Sequence, residues 1–476
     1  MKRVSFVGPL ILIAIGVVFL LKNIRPDLPL FDLFMTYWPF LLIAWGGLRL
    51  IEILVIHFRG GRLPASGISG GEWALIIILS IVGSSVWGVQ RFTRDGLGRF
   101  RVGGVEVFGE SYDYSENQQG LKLDPKGRLV VDNARGTVRI NGSDAAEVSV
   151  TARKTVRAMQ KDEADKANEQ TKLKINTAGS LMAITGGQDR PDGPRVTTDL
   201  DITAPKGVTV EVRGRYGDVE VTDLAGDVSI NSDNAGVKLQ NIGGRVRVET
   251  RRSDIIRATG VKGDVELKGR GRDIELEDVE GQVTVNGSYS GETVLRRIAK
   301  PVRFESSLTD IRMERLPGEM QLTLSALTAT NVVGPVTVKA KSKDVHLTDA
   351  TEALTLDLER GDIEIRQAKA PVARIDARTE SGDIEMALPP QAKFTLNAVT
   401  QRGEATNDFD PKLAVKEEDR GGSITGSLGG GPEIKLVTQR GSLTVRKMSA
   451  AEAASVTEAP KVPKAPLAPP ARADNQ

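Results

Sequence analysis

Between residues 216 and 386 apolar and polar positions alternate in short runs, and the runs return every nine residues. The unit is a turn-forming residue, one loose position, then apolar–polar–apolar. It reads Gly217-Asp218-Val219-Glu220-Val221, Gly226-Asp227-Val228-Ser229-Ile230, Gly263-Asp264-Val265-Glu266-Leu267 and Gly361-Asp362-Ile363-Glu364-Ile365. Degenerate copies fill the intervals, among them Arg272-Asp273-Ile274-Glu275-Leu276 and Lys343-Asp344-Val345-His346-Leu347. Alternate copies are preceded by a further apolar residue: Leu224, Ile242, Val261, Val279, Ile298, Leu316, Val332, Ala350 and Ala368, mostly 18 apart. Two nine-residue halves therefore make one coil of about 18 residues. Period-2 alternation turns one face of each half inward. The pattern predicts an all-β fold, a β-solenoid (β-helix-like) whose coils bury their apolar rows only against their neighbours. Val228, Val246, Val265 and Val283 are expected inside, with Ser229, Arg247, Glu266 and Thr284 outside.

A different pattern fills residues 1–90. The stretches 4–21, 33–56 and 73–89 are largely apolar, each near the roughly 17–25 residues that cross a bilayer, and predict three membrane helices. A signal peptide fits less well, because no small-residue cleavage site follows Leu21 and a second span comes at once. The first two spans are copies: Pro9-Leu10-Ile11-Leu12-Ile13-Ala14-Ile15-Gly16 lines up with Pro39-Phe40-Leu41-Leu42-Ile43-Ala44-Trp45-Gly46. Proline near the start of each suits a first helical turn, where its missing N–H costs nothing. These paired helices resemble the LiaI/LiaF-type transmembrane region of bacterial envelope-stress proteins, over about residues 6–56. Arg49 and Glu52 share one helical face; we read them as the interfacial end of a short helix rather than an intramembrane ion site. Ser80, Ser84 and Gly88, four apart, would let helices approach closely.

Residues 91–127 read as a juxtamembrane linker, with Arg91, Arg94, Arg99 and Arg101 suited to the headgroup region. Residues 128–205 read as a β portion with one short helix over 161–172, and the coils follow over 206–447. Within this stretch stand Asn133-Ala134-Arg135-Gly136-Thr137-Val138, Ala204-Pro205-Lys206-Gly207, Ser381-Gly382-Asp383-Ile384 and Gln439-Arg440-Gly441-Ser442-Leu443. With the Gly-Asp-Val/Ile repeats, they resemble a bacterial candidate-adhesin (LiaG-like) β-repeat family across about residues 128–447. The resemblance implies a β-helix-like fold and an envelope setting, and it brings no catalytic residues. Thr400-Gln401-Arg402-Gly403 and Thr438-Gln439-Arg440-Gly441 are nearly the same, so the last coils are expected to resume after an excursion over 408–431. Residues 448–476, rich in Ala, Pro and Lys, are expected to form a disordered tail.

Charge and chemistry narrow the function. Lys+Arg 64 against Asp+Glu 62 leaves a net charge of +2, so no nucleic-acid partner is expected. The chain has no cysteine, hence no disulfide and no thiolate metal site. Asp218, Asp227, Asp254, Asp264, Asp273, Asp310, Asp344, Asp362 and Asp383 recur in a way that invites a stacked calcium site. Arg245, Gln282, Pro301 and Pro335 interrupt that ladder, and tight-corner duty is the simpler role. Glu275, Glu277 and Asp278 form an acidic cluster of the kind a β-helix carbohydrate-active enzyme uses, yet such clusters are routine on solvated strand faces. The one histidine of the coils, His346, falls in an outward slot, and aromatic platforms for sugar rings are few. No catalytic, cofactor-binding or metal residues are therefore expected, and no cofactor.

The expected function is a membrane-anchored solenoid of the cell envelope that works by contact, its partners the lipid bilayer and a protein or envelope polymer. The alternative is a regulatory membrane component of an envelope-stress system. Topology is divided: Lys22, Arg25, Arg91, Arg94, Arg99 and Arg101 outnumber Lys2, Arg3, Arg59 and Arg62, which favours a cytoplasmic solenoid. The basic N-terminus and the envelope setting favour an external one, and the balance is drawn to a multi-pass inner-membrane protein with its solenoid outside.

Overall fold

The computed structural model describes residues 110–187 and 194–457, together with Gly47 and two short paired strands, Arg101–Val102 and Val105–Glu106. The expected membrane spans, Arg49, Glu52, Ser80, Ser84 and Gly88, and residues 458–476 of the expected tail lie outside the described residues. Among the described residues no helix is long and apolar enough to cross a membrane. The chain divides into two units, Met1–Gly109 and Glu110–Gln476, and the second holds the coils.

From Thr209 the chain passes back and forth between two sheets. Thr209–Tyr216 lies in one, and Val219–Leu224 returns in the other; Val228–Asn234 and Val237–Ile242 make the next coil. Each strand pairs in parallel with its counterpart one coil on, so Val228, Val246, Val265 and Val283 stand in one row. All four are essentially inaccessible. Arg247 is exposed, while Ser229, Glu266 and Thr284 point outward, partly covered by their neighbours. The inward rows merge into one core running from Leu123 to Val445. Burying a valine or leucine there is worth about 1.5–3 kcal/mol.

The extra apolar residue of each coil has a local cause. Strict alternation would turn Leu224 outward, but Asp223 adopts a left-handed conformation (φ 58°) and shifts the alternation by one. Asn241, Gly260, Asp278 and Arg297 do the same before Ile242, Val261, Val279 and Ile298, at φ 52–71°. Asn331 and Asp349 repeat it before Val332 and Ala350. Gly, Asn and Asp tolerate this region best, which accounts for six of the seven.

Five features depart from the expected layout. Glu110–Lys122, read as linker, is a strand paired antiparallel with Glu147–Ala158. Its covered side is Tyr112, Tyr114 and Leu121 among charged residues, not the Val/Ile rows that mark the coils. The stack also begins at 128, not 206: Arg128–Arg135 and Val138–Ser143 pair in parallel with Thr209–Tyr216 and Val219–Leu224. The residues between add one more coil, Leu181–Thr185 and Arg195–Pro205, parallel to Arg128–Arg135 and Val138–Ser143 on the side away from Thr209. They also add a helix, Lys161–Gln170, that lays Ala164 and Ala167 on Val156 and Ala158. Beneath it Lys154 is buried and ion-paired with Glu116.

The third departure is a coil that runs backwards. Thr309–Leu322 crosses both sheets antiparallel to Val302–Glu305 and Thr293–Ile298. Ala326–Ala340 returns antiparallel to it, and parallel stacking resumes with Asp344–Ala350 and Leu354–Arg360. Leu316 and Val332, read as leads of successive parallel coils, are buried as expected, but Leu316 faces Ile298 from the reversed strand. Alternation reads the same in either direction, so only the hairpins betray the reversal. Ser306 Oγ accepts the Thr309 N–H at 3.1 Å, and Thr323 Oγ1 the Ala326 N–H at 3.0 Å.

The fourth is an interposed coil. Glu433–Thr438 pairs in parallel with Ile375–Ser381 on one side and Phe394–Thr400 on the other. Leu443–Lys447 likewise lies between Ile384–Leu388 and Ala405–Asp408. The last coil in sequence is thus the last but one in space. The excursion holds Ala414–Glu417 and Gly422–Leu428, antiparallel strands beyond Phe394–Thr400. The fifth is a short helix, Ala450–Thr457, which follows the final coil where a disordered tail was expected, its first turn fixed by Arg446 and Ser449 bonds to Glu452.

Candidate functional site

The recurring aspartates sit at the corners, and their carboxylates point along the stack. Asp227 Oδ1 accepts the Arg245 N–H at 2.7 Å, and Asp264 Oδ1 the Gln282 N–H at 2.9 Å. At the other corner Asp218, Asp273, Asp344, Asp362 and Asp383 accept the N–H of Gly236, Glu292, Asp362, Asp383 and Ser442 at 2.7–3.0 Å. Each therefore staples its coil to the next, a duty beyond shaping its own corner. Asp254 takes part through its carbonyl, which accepts the Asp273 N–H, and Asp310 pairs with Arg312 on the reversed strand. Among the described residues no group of three His, Asp or Glu converges where a metal ion could be held.

The acidic cluster is brought together, but with arginines interleaved. Glu275 meets Arg257 at 2.6 Å and Arg296 at 3.5 Å, and Glu277 pairs with Arg297. Arg297 also grips Asp278 through Nε (2.6 Å) and Nη2 (3.0 Å). That bond holds the Asp278 carboxyl below its ordinary range, whereas a general acid needs a carboxyl pushed up. His346 lies on the outer face with Nδ1 2.8 Å from Glu364 Oε2. Similar ladders cover both sheets: Arg128–Glu211–Arg213 and Arg247–Glu266–Lys268 on one, Arg139 between Asp201 and Glu220 on the other. Glu211 and Glu266 are likewise held low, chiefly by Arg128 and Lys268.

What the sequence did not reveal is a groove along the corner where the left-handed residues stand. It has a volume of about 560 Å³ and spans the coils from Lys206 to Ala299. Asp223, Asn241, Gly260, Asp278 and Arg297 form one wall, one residue per coil. Asn241 Nδ2 donates to Asp223 Oδ1 at 2.8 Å, so the wall is itself bonded from coil to coil. Ala225, Lys262, Glu280 and Ala299 line the exposed side, and their N–H groups are used by carbonyls of the preceding coil. The signal was present: a turn-prone residue stands directly before each apolar lead in six of these seven places. Chemically the groove offers three cationic and three anionic side chains and repeats at the strand spacing of about 4.8 Å. It can hold a long polar or charged chain by many weak contacts.

The Toastrack DUF4097 family matches residues 127–446, and the LiaF transmembrane domain matches residues 7–95. The second match associates the chain with a membrane. No curated protein matches. Among solved structures, a candidate cell adhesion protein from Clostridium sporogenes ATCC 15579 is 8% identical, covering 71% of this chain and 100% of its own, at a TM-score of 0.18. A candidate adhesin from Parabacteroides distasonis ATCC 8503 is 9% identical over 71% of this chain and 98% of its own, at a TM-score of 0.23. One from Bacteroides fragilis NCTC 9343 is 11% identical over 71% and 97%, at 0.20. At such scores these likenesses add nothing to the fold, which rests on the strand registers.

Proposed function

We propose that this chain, which belongs to the Toastrack DUF4097 family, is a membrane-anchored contact protein of the bacterial cell envelope whose binding site is the corner groove. The observation that carries the reading is the groove itself, which presents the same wall once per coil across successive coils. A repeated wall suits a repetitive or extended partner, an envelope polymer or a protein segment, held without chemistry. Asp278 in its wall is tied to Arg297, with its carboxyl held low rather than poised for proton transfer, which supports a non-catalytic role. The stack is taken to lie outside the membrane, with the multi-pass region as its anchor.

Filling the groove tests this. Ala225→Trp with Ala299→Trp places two large side chains at exposed groove positions and leaves the core untouched. Detergent-solubilised full chain should sediment with isolated envelope polymer, and the filled variant several-fold less. Equal sedimentation of both, or of neither, removes the groove as a polymer site. Protease added to intact cells, or to spheroplasts where an outer membrane is present, should cut beyond Met448; cleavage only after lysis would put the stack in the cytoplasm.

A second reading is favoured by the LiaF match at residues 7–95: a regulatory component whose membrane region engages a partner of an envelope-stress system. Deleting residues 110–457 should abolish the contact function and only modify the regulatory one. Exchanging residues 1–90 for an unrelated anchor should do the reverse.

A further inference from the structure

We propose that the interposed coil, residues 433–447, is exchanged between two copies of this chain, each seating its own final coil in the slot of the other. The order of strands carries this, independently of the groove. Glu433–Thr438 and Leu443–Lys447 touch Ile375–Leu388 below and Phe394–Asp408 above, and neither neighbour adjoins them in sequence. When residues 394–428 take their place, a slot one coil wide must stand open until the final coil arrives. Residues 389–393, beginning Pro389-Pro390, span that width, and an Ala392 N–H to Pro389 carbonyl bond of 2.9 Å shapes the turn.

The slot reads only a pattern that any copy of the segment supplies. Ile434, Leu436, Leu443 and Val445 are fully buried in it. Thr438 Oγ1 donates to the Gly382 carbonyl at 2.9 Å, and Thr400 Oγ1 donates to the Gly441 carbonyl at 2.7 Å. Asp383 Oδ1 staples Ser442 at 2.7 Å, and Arg446 Nε reaches Glu385 at 2.7 Å. All of these contacts survive if the segment comes from a second molecule. Only the connection changes, and it is three glycines and a proline, residues 429–432. Gly429 and Gly430 are left-handed (φ 68° and 59°), and a side chain at Gly430 would meet nothing. Exchange of an identical element through a short permissive hinge keeps every native contact, which makes it a low-cost route to a dimer.

The chain has no cysteine, so engineered pairs report cleanly. Asp376 and Lys435 are outward-facing register partners on adjacent strands. At a strand spacing of about 4.8 Å, cysteines there lie within disulfide reach. Two full-length chains with different affinity tags, one Asp376→Cys and one Lys435→Cys, are co-expressed, solubilised and oxidised. Disulfide-linked heterodimer several-fold above the mismatched pair Thr284→Cys with Lys435→Cys is the expected result, rising further when Gly429 and Gly430 are deleted. The double variant Asp376→Cys/Lys435→Cys in one chain checks that the bond can form. If that double variant closes only within single chains, and the co-expressed pair gives no more heterodimer than the mismatch, exchange is refuted.

Discussion

The coils over 209–305 and those over 354–447 are built from the same pattern yet assembled by different rules. In the first, each coil stacks on the one before it in sequence, with parallel registers 18 or 19 residues apart. In the second, Ile375–Ser381 is followed in space by Glu433–Thr438 and only then by Phe394–Thr400. The inward residues obey one code in both: Ile375, Ile434 and Leu396 share a row, as do Thr379, Thr438 and Thr400. A coil is therefore interchangeable with its neighbours, and the loops between coils decide which goes where. The reversed Thr309–Leu322 makes the same point for direction.

If both regions share one core, an inward charge should damage either severely. Val265→Asp in the regular coils and Leu436→Asp in the interposed one should each cost about 4 kcal/mol, because an unpaired carboxylate is buried. The denaturation midpoint of the full chain reads this; a mild effect at Leu436 alone would mean the interposed coil is loosely held. Corners come next. An alanine Cβ at Gly441 would stand 2.1 Å from the Gly382 carbonyl oxygen, and its φ is 146°. Gly441→Ala should cost about 3 kcal/mol, against about 1 kcal/mol for Gly430→Ala, where space is open.

These sites show how far the amino-acid pattern could lead. Inward and outward faces, the coil length and the corner aspartates were legible, since each is a local consequence of alternation and turn chemistry. Winding direction and coil order were not, because Leu316 is apolar and inward whichever way its strand runs. The pairing of Thr400-Gln401-Arg402-Gly403 with Thr438-Gln439-Arg440-Gly441 was visible as likeness, not as contact. The groove escaped notice because its wall is made of residues that read as ordinary turn formers.

Smaller effects sharpen the contrast between staples and ladders. Asp264→Ala removes the acceptor of the Gln282 N–H and should cost about 1–2 kcal/mol. Glu266→Ala, in an exposed ion ladder, should stay within about 0.5 kcal/mol. The smallest effect is electrostatic. Bonds from Arg446 and Ser449 hold the Glu452 carboxyl at about 2, below its ordinary 4.5. The folded value is depressed, so the stabilising contribution is complete above about 4.5 and falls as pH drops through about 2. A carboxyl titration followed by NMR should show that low midpoint, moving toward the ordinary value in Arg446→Ala; no movement would detach the closing helix from the final coil.

Competing disulfides in the full chain give the sharpest test of coil order. Asp376→Cys/Lys435→Cys joins spatial neighbours, whereas Asp376→Cys/Asn397→Cys joins positions separated by the interposed strand. Rapid closure of the first pair and little of the second is the expected result. Efficient closure of Asp376→Cys/Asn397→Cys, with Asp376→Cys/Lys435→Cys left open, would show coils stacked in sequence order and overturn the interposed coil.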